Sequence, residues 1–347
     1  MKIGLAGYKG SGKSSLFHWL SGITPDLALS HSFQSASIPL PEPRFKALTD
    51  IYHPKKTTYA SIELVDTPGL SRDDQQSNPQ RLALLREADA LVWVVPVFGG
   101  NDPVKEINAF REDTILADLE IVLNRIEKVT EQNKRPVPKT EHEKFAFELE
   151  TLKVLQEGLE SGHPVQEDQL TLEQQRVVRG FRLLNGKPKM FIFNTADEET
   201  DLEQYKKYAE KDGNSTAAAA VSVRLELELS EMTEEEKKSF LEEMQLPCAD
   251  KDAVLKMLLD TSGQSTFLTA GEKEIRTWLM PKGGTAIEAA GSIHTDMVKG
   301  FIRAEVIKAD DLIRLGSERA VKAEGLITRE PKDYVVKDGD ILLFHFS

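Results

Sequence analysis

A glycine-rich loop near the start of the sequence carries the residues with the clearest chemical potential. Residues 7–14 read GYKGSGKS, a complete G-x-x-x-x-G-K-S pattern. Glycines let successive backbone N–H groups turn inward as a nest for an anion, and a helix that begins directly after them points its positive end at the same place. The pattern therefore predicts a binding loop for the phosphates of a nucleoside triphosphate.

The side chains of this loop have separate predicted roles. We expect Lys13 to neutralise the β- and γ-phosphates, the Ser14 hydroxyl to bind Mg²⁺ and Ser15 to reach the α-phosphate. The predicted nucleotide-binding residues of the loop are Gly7, Tyr8, Lys9, Gly10, Ser11, Gly12, Lys13, Ser14 and Ser15.

A second motif, Asp66-Thr67-Pro68-Gly69, follows a short apolar segment and distinguishes switch NTPases from other P-loop proteins. Asp66 at a strand end can hold a water of Mg²⁺, so we assign Ser14 and Asp66 to the metal site. The Gly69 amide can contact the γ-phosphate, and this contact is lost on hydrolysis. We therefore assign catalytic roles to Lys13 and Gly69.

A third motif, Asn194-Thr195-Ala196-Asp197, is similar to the N-K-x-D pattern with which switch NTPases bind the base. In that pattern the Asp carboxylate accepts hydrogen bonds from two N–H groups on the edge of guanine. Asn and Asp are present here, but Thr195 replaces the lysine that packs along the base. We predict nucleotide contacts for Asn194 and Asp197.

These motifs follow short apolar runs that we predict to be buried strands of a parallel sheet. Helix-like segments alternate with the runs, which indicates an α/β, doubly wound domain. The predicted strands are Lys2–Ala6, Ser61–Val65, Ala90–Val97 and Lys189–Phe193, and the first predicted helices are Ser14–Leu20 and Pro79–Glu87.

Between the third and fourth predicted strands the apolar spacing becomes helical. Residues 115–129 and 145–159 carry narrow apolar stripes at spacings of three and four, separated by the Pro-containing segment 134–138. We predict an antiparallel helical hairpin inserted into the nucleotide domain, over the alternative that both helices pack on the sheet.

The last part of the sequence shows a few strands with one helix, which predicts a small α+β domain. We thus predict a P-loop NTPase domain at 1–110 and 186–263, an inserted hairpin or coiled coil at 111–185 and a C-terminal domain at 264–347. The predicted strands of the C-terminal domain are 266–269, 275–279, 300–307 and 334–346, with a helix at 285–293.

Composition limits the classes of function. The 44 Lys+Arg and 57 Asp+Glu give a net charge of −13, which argues against delocalised binding to nucleic acid and predicts no DNA specificity. The single cysteine excludes an intramolecular disulfide framework and a Cys-rich metal site. No run is long enough to span a bilayer and no targeting segment is apparent, so we expect a cytoplasmic protein without membrane attachment.

The whole sequence resembles the YchF-type Obg-like ATPases. The order of P-loop, D-x-x-G motif, inserted helical hairpin and N-x-x-D motif carries the resemblance. The sequence segments that resemble this family most specifically lie near the end of the chain, at 266–271, 274–278, 284–286, 289–296, 299–304 and 333–340. The resemblance implies a TGS-type, ubiquitin-like C-terminal domain. It also implies a cytosolic, Mg²⁺-dependent nucleotidase that associates with the ribosome or translation machinery, with ribosomal RNA as an expected partner. We expect its intrinsic hydrolysis to be slow.

The sequence departs from that family at several positions. Gly10 stands where the family's P-loop has Asn, which weakens the expectation of a monovalent-cation requirement. Leu70, shared with the family, stands where other switch proteins place a water-orienting Gln, and no glycine occurs in Leu70–Gln80. Arg72, Gln75 and Gln76 are nearby candidates for that role. The first switch, Thr24–Ile38, offers four candidates for the Mg²⁺-sensing hydroxyl, among which the sequence does not decide: Ser30, Ser32, Ser35 and Ser37.

The choice of base stays open between adenine and guanine. The family's N-x-x-E version goes with adenine, whereas Asp197 is the shorter acid found in guanine readers. By resemblance, Ser222 and Val223 lie in the second base-contacting loop, although Ser222-Val223-Arg224 matches no guanine-loop pattern. We favour ATP over GTP as the substrate because the family does.

Together these patterns predict a hydrolysing molecular switch. One alternative is a nucleotide-binding scaffold with little or no hydrolysis, which the glycine-free Leu70–Gln80 loop motivates. A second is a small-molecule P-loop kinase, which the switch and base motifs disfavour. Any contact with ribosomal RNA is expected at a local basic face formed by Lys134, Arg135, Lys299, Arg303, Lys308, Arg314, Arg319 and Lys322.

Overall fold

The computed structural model describes residues 1–26, 32–199, 201–210 and 217–347. The strands of these residues, in chain order, are β1 Lys2–Ala6, β2 Gln34–Pro39, β3 Thr57–Thr58, β4 Ser61–Asp66, β5 Ala90–Pro96, β6 Lys189–Asn194, β7 Ala217–Val221, β8 Gln264–Thr269, β9 Ile275–Pro281, β10 Phe301–Lys308, β11 Thr328–Glu330 and β12 Asp340–Phe346.

The described residues also form helices. In chain order they are α1 Lys13–Ser21, α2 Phe45–Tyr52, α3 Asn78–Arg86, α4 Pro103–Asn133, α5 Lys139–Glu160, α6 Leu172–Arg179, α7 Lys206–Glu210, α8 Val223–Ser230, α9 Glu234–Met244, α10 Lys251–Thr261, α11 Ala286–Ile293, α12 Thr295–Lys299, α13 Ala309–Leu315 and α14 Glu318–Ala323. None of the described helices is both long and apolar enough to cross a membrane.

The first sheet has the strand order β2-β4-β1-β5-β6-β7. The pairs β1–β5, β5–β6 and β6–β7 are parallel. Every residue of β5 and β6 is buried, as expected for strands covered on both faces. The predicted α/β, doubly wound class is confirmed, and the four predicted strands lie within one residue of the observed ones.

The predicted helical hairpin is also present. Its helices α4 and α5 are joined by residues 134–138 and share a buried apolar core at Val122, Leu152, Leu155 and Leu159. Helix α4 begins at Pro103, before the predicted insertion, because the Asp102 side chain caps it by accepting a hydrogen bond from the Val104 amide (2.9 Å). The first turns of α4 therefore pack on the sheet, and the remainder forms the hairpin.

A buried carboxylate anchors the base of the hairpin. The Asp118 side chain on α4 is fully buried and accepts hydrogen bonds from the backbone amides of Leu184 (3.0 Å) and Asn185 (2.9 Å) and from the Asn185 side chain (2.8 Å). The Arg86 guanidinium, at the end of α3, also contacts this carboxylate, with Nη1 lying 2.5 Å from Asp118 Oδ1. One carboxylate thus holds α3, α4 and the segment that returns from the hairpin to β6.

The second sheet has the order β11-β10-β12-β8-β9-β3 and is mixed. Strand β12 runs parallel to β8, whereas β8–β9 and β10–β12 are antiparallel. The alanines of α11 pack on one face with Phe267, and α2 packs on a second core that includes Leu268 and Leu312. The α+β character predicted for the end of the chain is confirmed.

The strand predicted at residues 334–346 is too long. Only Asp340–Phe346 is extended in the sheet, because Gly339 has φ +80° and turns the chain immediately before it. The Asp340 carboxylate at this turn is fully buried and accepts hydrogen bonds from Tyr334 Oη (2.8 Å) and Lys337 N (2.9 Å). These contacts fix the preceding residues as a loop.

The chain forms two units whose bounds differ from those predicted. The first unit comprises Met1–Ala36 and Leu64–Ala249, and the second comprises Ser37–Glu63 and Asp250–Ser347. The segment between β2 and β4 therefore belongs to the unit that contains the end of the chain. The three-part division into 1–110 with 186–263, 111–185 and 264–347 stays a prediction.

Candidate functional site

The loop between β1 and α1 has the backbone of an anion-binding nest. Gly7, Gly10 and Gly12 all have positive φ, at 144°, 84° and 97°. A Cβ at Gly7 would lie 2.7 Å from Val94 O, and one at Gly12 would overlap the side-chain amide of Asn194. The sequence folds locally in this way because glycine alone fits these two close approaches.

Lys13 lies at the first turn of α1 with its side chain turned back along the loop. Its Nζ donates a hydrogen bond to Tyr8 O (2.9 Å), and the residue is only 5% exposed. Burial lowers the pKa of Lys13 to about 8, an effect that the nearby Asp66 carboxylate opposes. Phosphate oxygens would supply the counter-charge that this buried ammonium needs.

Asp66 and Ser14 come together at the end of β4. Burial raises the pKa of the Asp66 carboxyl, while the Ser14 hydroxyl and the Lys13 ammonium lower it in part. Asp66 Oδ1 is buried and has no hydrogen-bond partner among the described residues. Hydroxyl and carboxylate oxygens suit Mg²⁺, which is commonly held by one or two protein oxygens together with phosphates.

No group of three or more His, Cys, Asp or Glu side chains that could hold a metal occurs in the described ranges. The Ser14–Asp66 pair fits a cation that arrives with a nucleotide.

The D-x-x-G segment is fastened to the glycine-rich loop by backbone hydrogen bonds. Lys9 N donates to Leu70 O (2.8 Å), and Leu70 N donates to Gly7 O (3.1 Å). The Leu70 side chain is 1% exposed and packs in the core of the first unit. A side chain at Gly69 would collide with Lys13 Nζ at 2.6 Å and Lys9 N at 2.7 Å, so residue 69 must be glycine.

The structure places Asn194 where it joins two loops. Its Nδ2 donates to Ser11 O (3.0 Å), and its Oδ1 accepts from Val223 N (3.3 Å). The buried Asn194 side chain thus connects the glycine-rich loop to the start of α8. This role positions both loops whether or not a base is bound.

The Asp197 carboxylate has a donor on each oxygen. Ser222 Oγ donates to Oδ1 (2.6 Å), and Arg224 Nε lies 2.9 Å from Oδ2. Thr195, at the position of the missing lysine, is 4% exposed and cannot cover a base. Arg224 is mostly exposed beside Asp197. Its contact with this carboxylate was not predicted, because the only signal in the sequence was that residues 222–224 occupy the place of the second base-contacting loop.

The first switch is described only in part. Residues 27–31, which include the candidate Ser30, lie outside the described residues. Ser32, Ser35 and Ser37 are exposed, and the last two lie on β2.

A polar cluster that the sequence analysis missed connects the loop to the hairpin. Tyr8 Oη donates to Asp113 Oδ2 (2.7 Å), and burial and Asp113 raise the pKa of Tyr8. The Arg72 guanidinium lies 4.5 Å from the centroid of the Tyr8 ring and 2.7 Å from Glu106 Oε1. We call Tyr8, Arg72, Glu106 and Asp113 the Tyr8 cluster. The signal in the sequence was the spacing of the two acids, since Glu106 and Asp113 are seven residues apart and so lie on the same face of α4.

Comparison with known proteins gives whole-chain matches. Residues 2–125 match the family model MMR_HSR1 (50S ribosome-binding GTPase), and residues 265–347 match YchF-GTPase_C (protein of unknown function, DUF933). The protein named ribosome-binding ATPase YchF is 33% identical in Bacillus subtilis over 374 residues and 31% identical in Haemophilus ducreyi over 368 residues. Both comparisons cover 100% of this chain and 99% of the relative.

A solved structure shares the fold of the chain. The YchF GTPase of Schizosaccharomyces pombe superposes with a TM-score of 0.80 at 22% identity, over 99% of this chain and 97% of that one. The match includes the C-terminal domain, so the architecture expected from the resemblance is confirmed. With the whole-length identity to the bacterial relatives, these matches show that the chain belongs to the YchF family of P-loop NTPases.

Proposed function

We propose that this chain is a nucleotide-dependent switch that hydrolyses ATP in preference to GTP and acts with the ribosome in the cytoplasm. The observation that supports it most is the convergence of the glycine-rich loop, Lys13, Asp66 and Gly69, with backbone hydrogen bonds of 2.8 and 3.1 Å between the two loops. The association with the ribosome rests on the names of the relatives.

The proposed reaction is attack of water on the γ-phosphate. Lys13, the amides of residues 7–15 and the Gly69 amide stabilise the charge on the phosphate oxygens. Ser14 and Asp66 would hold Mg²⁺, which would supply further positive charge to the phosphate oxygens. Leu70 is buried and cannot orient the water, so slow intrinsic hydrolysis is part of the proposal.

Single-turnover release of phosphate, with and without ribosomes, tests this function against a scaffold with little or no hydrolysis. We expect wild-type protein to release phosphate faster than a Lys13→Ala variant. Equal rates under both conditions would favour the scaffold. Equal affinity for ribosomes with and without nucleotide would contradict the switch.

The preference for ATP is supported by the donors around Asp197. Guanine would need this carboxylate to accept from two N–H groups, but Ser222 and Arg224 already occupy one oxygen each. Binding guanine would therefore displace Arg224 or share its oxygen. Adenine lacks that pair of donors and leaves the ion pair intact.

We expect Arg224→Ala to shift selectivity towards GTP. Loss of one exposed ion pair costs little stability, while it frees an oxygen of Asp197, so the ratio of the ATP and GTP affinities should change by roughly 3- to 10-fold in favour of GTP. Titration of both nucleotides against wild type and variant measures this ratio. The matched control is Glu228→Ala, which removes the other partner of Arg224 at 3.4 Å. Tighter binding of GTP than ATP by wild type would contradict the argument.

The C-terminal residues of the basic face proposed to contact ribosomal RNA differ in whether a carboxylate lies beside them. Lys299, Arg303 and Arg314 each lie beside a carboxylate of their own unit, and Lys308 serves as counter-ion to the buried Asp340. Arg319 and Lys322 on α14 are exposed and form no ion pair among the residues described. These two carry the proposal for the C-terminal domain.

We expect the double variant Arg319→Glu/Lys322→Glu to weaken ribosome association. If both side chains contact phosphates, the slope of the logarithm of affinity against the logarithm of salt concentration should fall by about 2. Co-sedimentation with ribosomes at several salt concentrations measures the slope. Lys256→Glu, an exposed residue of the same unit, serves as the control. An unchanged slope in the double variant would place the contact elsewhere.

The Tyr8 cluster supports a conformational output. Arg72 follows the D-x-x-G motif, and its partner Glu106 lies on the first helix of the hairpin at 2.7 Å. A change at Gly69 on hydrolysis would therefore move a residue that is tied directly to α4. We therefore expect α4, the first helix of the hairpin, to be the first element to move when the nucleotide is hydrolysed.

A further inference from the structure

The proposed hydrolysis leaves one requirement unassigned. Beyond the P-loop lysine and Mg²⁺, related phosphoryl-transfer reactions use a further positive charge at the γ-phosphate, which an arginine supplies in cis or from a partner. Leu70 cannot act on the water or the phosphate because its side chain is buried in the core. The candidates for this charge are the cations nearest to Gly69, the residue proposed to contact the γ-phosphate.

The backbone of Lys9 lies against Gly69, the residue proposed to contact the γ-phosphate. A Cβ built on Gly69 would lie 2.7 Å from Lys9 N and 2.9 Å from Lys9 Cα. Lys9 N also donates to Leu70 O at 2.8 Å, which fixes its backbone against the D-x-x-G segment. Beside it, the Cβ position of Gly10 meets nothing within 4 Å, so this rim of the loop is open.

The three cations around this point differ in their partners. Lys13 is buried and donates to Tyr8 O. Arg72 is held by Glu106 at 2.7 Å and by the ring of Tyr8 at 4.5 Å. Lys9 is exposed, and within the described parts of the chain its ammonium makes no hydrogen bond or ion pair. Of these three cations, Lys9 is thus the one that would give up no hydrogen bond or ion pair among the described residues on binding a phosphate.

We propose that the Lys9 ammonium is a catalytic group that acts in cis at the γ-phosphate, an inference that rests on the proposed nucleotide hydrolysis. Water oxygen forms the new bond to the γ-phosphorus, and the bond from the γ-phosphorus to the β–γ bridging oxygen breaks. The electron pair of that bond stays on the oxygen of the departing nucleoside diphosphate, and a water proton passes to phosphate or solvent. Lys9 keeps its proton throughout and stabilises the charge on the oxygens between the β- and γ-phosphorus.

Because this charge develops mainly during transfer, Lys9 should matter more for the rate than for binding of the triphosphate. We expect Lys9→Ala to lower single-turnover phosphate release roughly 10- to 100-fold, with less than about a threefold change in the dissociation constant for ATP. Lys9→Arg should retain much of the rate because it keeps the charge. Lys128→Ala, which removes an exposed lysine on the hairpin, is the matched control.

A second readout does not depend on turnover. Lys9→Ala should bind ADP with aluminium fluoride, a mimic of the transferring phosphoryl group, at least about tenfold more weakly than wild type, while its affinity for ADP alone is unchanged. Equal affinity of the two proteins for the mimic would overturn the role of Lys9. So would unchanged or faster phosphate release by Lys9→Ala, or the same loss in Arg72→Ala with none in Lys9→Ala.

Comparison with Lys13→Ala separates the two proposals. If wild type is no faster than Lys13→Ala, the hydrolytic function itself is wrong. If Lys13→Ala loses the rate and Lys9→Ala does not, the function stands and the role of Lys9 is wrong.

Discussion

Replacing Lys13 by alanine is expected to reduce single-turnover nucleotide hydrolysis by roughly 10²- to 10³-fold. The Lys13 ammonium is the buried cation of the site, held 2.9 Å from Tyr8 O and beside the Asp66 carboxylate. Its loss would remove the charge that we propose to face the β- and γ-phosphates in both the bound and the transferring state. Weaker nucleotide binding should therefore accompany the lower rate, measured by titration of a fluorescent ATP analogue.

The structure also provides a control for folding of this variant. Lys13→Ala leaves Asp66 buried without its cation, which could destabilise the first unit. Lys13→Met keeps most of the apolar volume, and both variants should retain the wild-type far-ultraviolet circular dichroism. Retention of nucleotide affinity and rate by Lys13→Met would contradict the assignment of Lys13.

The largest effect on stability is expected from Asp118→Ala. The carboxylate is fully buried and serves two backbone amides, the Asn185 side chain and the Arg86 guanidinium, which is 12% exposed. Removal leaves the two amides and the Asn185 side chain buried without this acceptor and takes its carboxylate from Arg86, which keeps Arg182 O at 3.2 Å, so we expect a loss of about 3–5 kcal/mol in the free energy of unfolding of the first unit. Urea denaturation followed by tryptophan fluorescence measures this loss.

Glu120→Ala provides the matched control, because Glu120 lies on the same helix and is exposed. It should change the free energy of unfolding by less than about 0.5 kcal/mol. Asp118→Asn keeps one acceptor oxygen and should fall between the two. Equal midpoints for Asp118→Ala and Glu120→Ala would show that the hairpin base is held by its apolar contacts instead.

The fold of the first unit was largely predictable because its central strands are apolar runs and its hairpin has strict helical spacing. Strand β7 was not predicted, since its sequence AAAAV offers small side chains with little strand preference. The membership of residues 37–63 in the second unit was also missed. Pairing of β3 with β9 joins segments that are remote in sequence, and local patterns carry no signal for such pairing.

The candidate site was predicted to different degrees. The glycines and Lys13 follow from a pattern whose backbone requirement is strict, so their arrangement was foreseen. The Tyr8 cluster and the Arg224–Asp197 pair depend on which loops the fold brings together. Tyr8 was assigned only a general phosphate contact, because a tyrosine at a variable loop position says nothing about a partner on α4.

The second unit consists of two segments that are far apart in the sequence, and this has a consequence for how the protein is synthesised. A buried hydrogen bond of 2.6 Å joins Ala60 N to Thr277 Oγ1, two residues that lie 217 positions apart. Residues 37–63 leave the ribosome early in synthesis, yet the sheet that receives β3 and the core that receives α2 exist only after β9 has been made. During vectorial synthesis, at about 5–20 residues per second, this segment therefore waits on the order of ten seconds or more without its partners. Fragments that begin near residue 264 should aggregate or fold incompletely, because they lack the helix and strand that finish the domain.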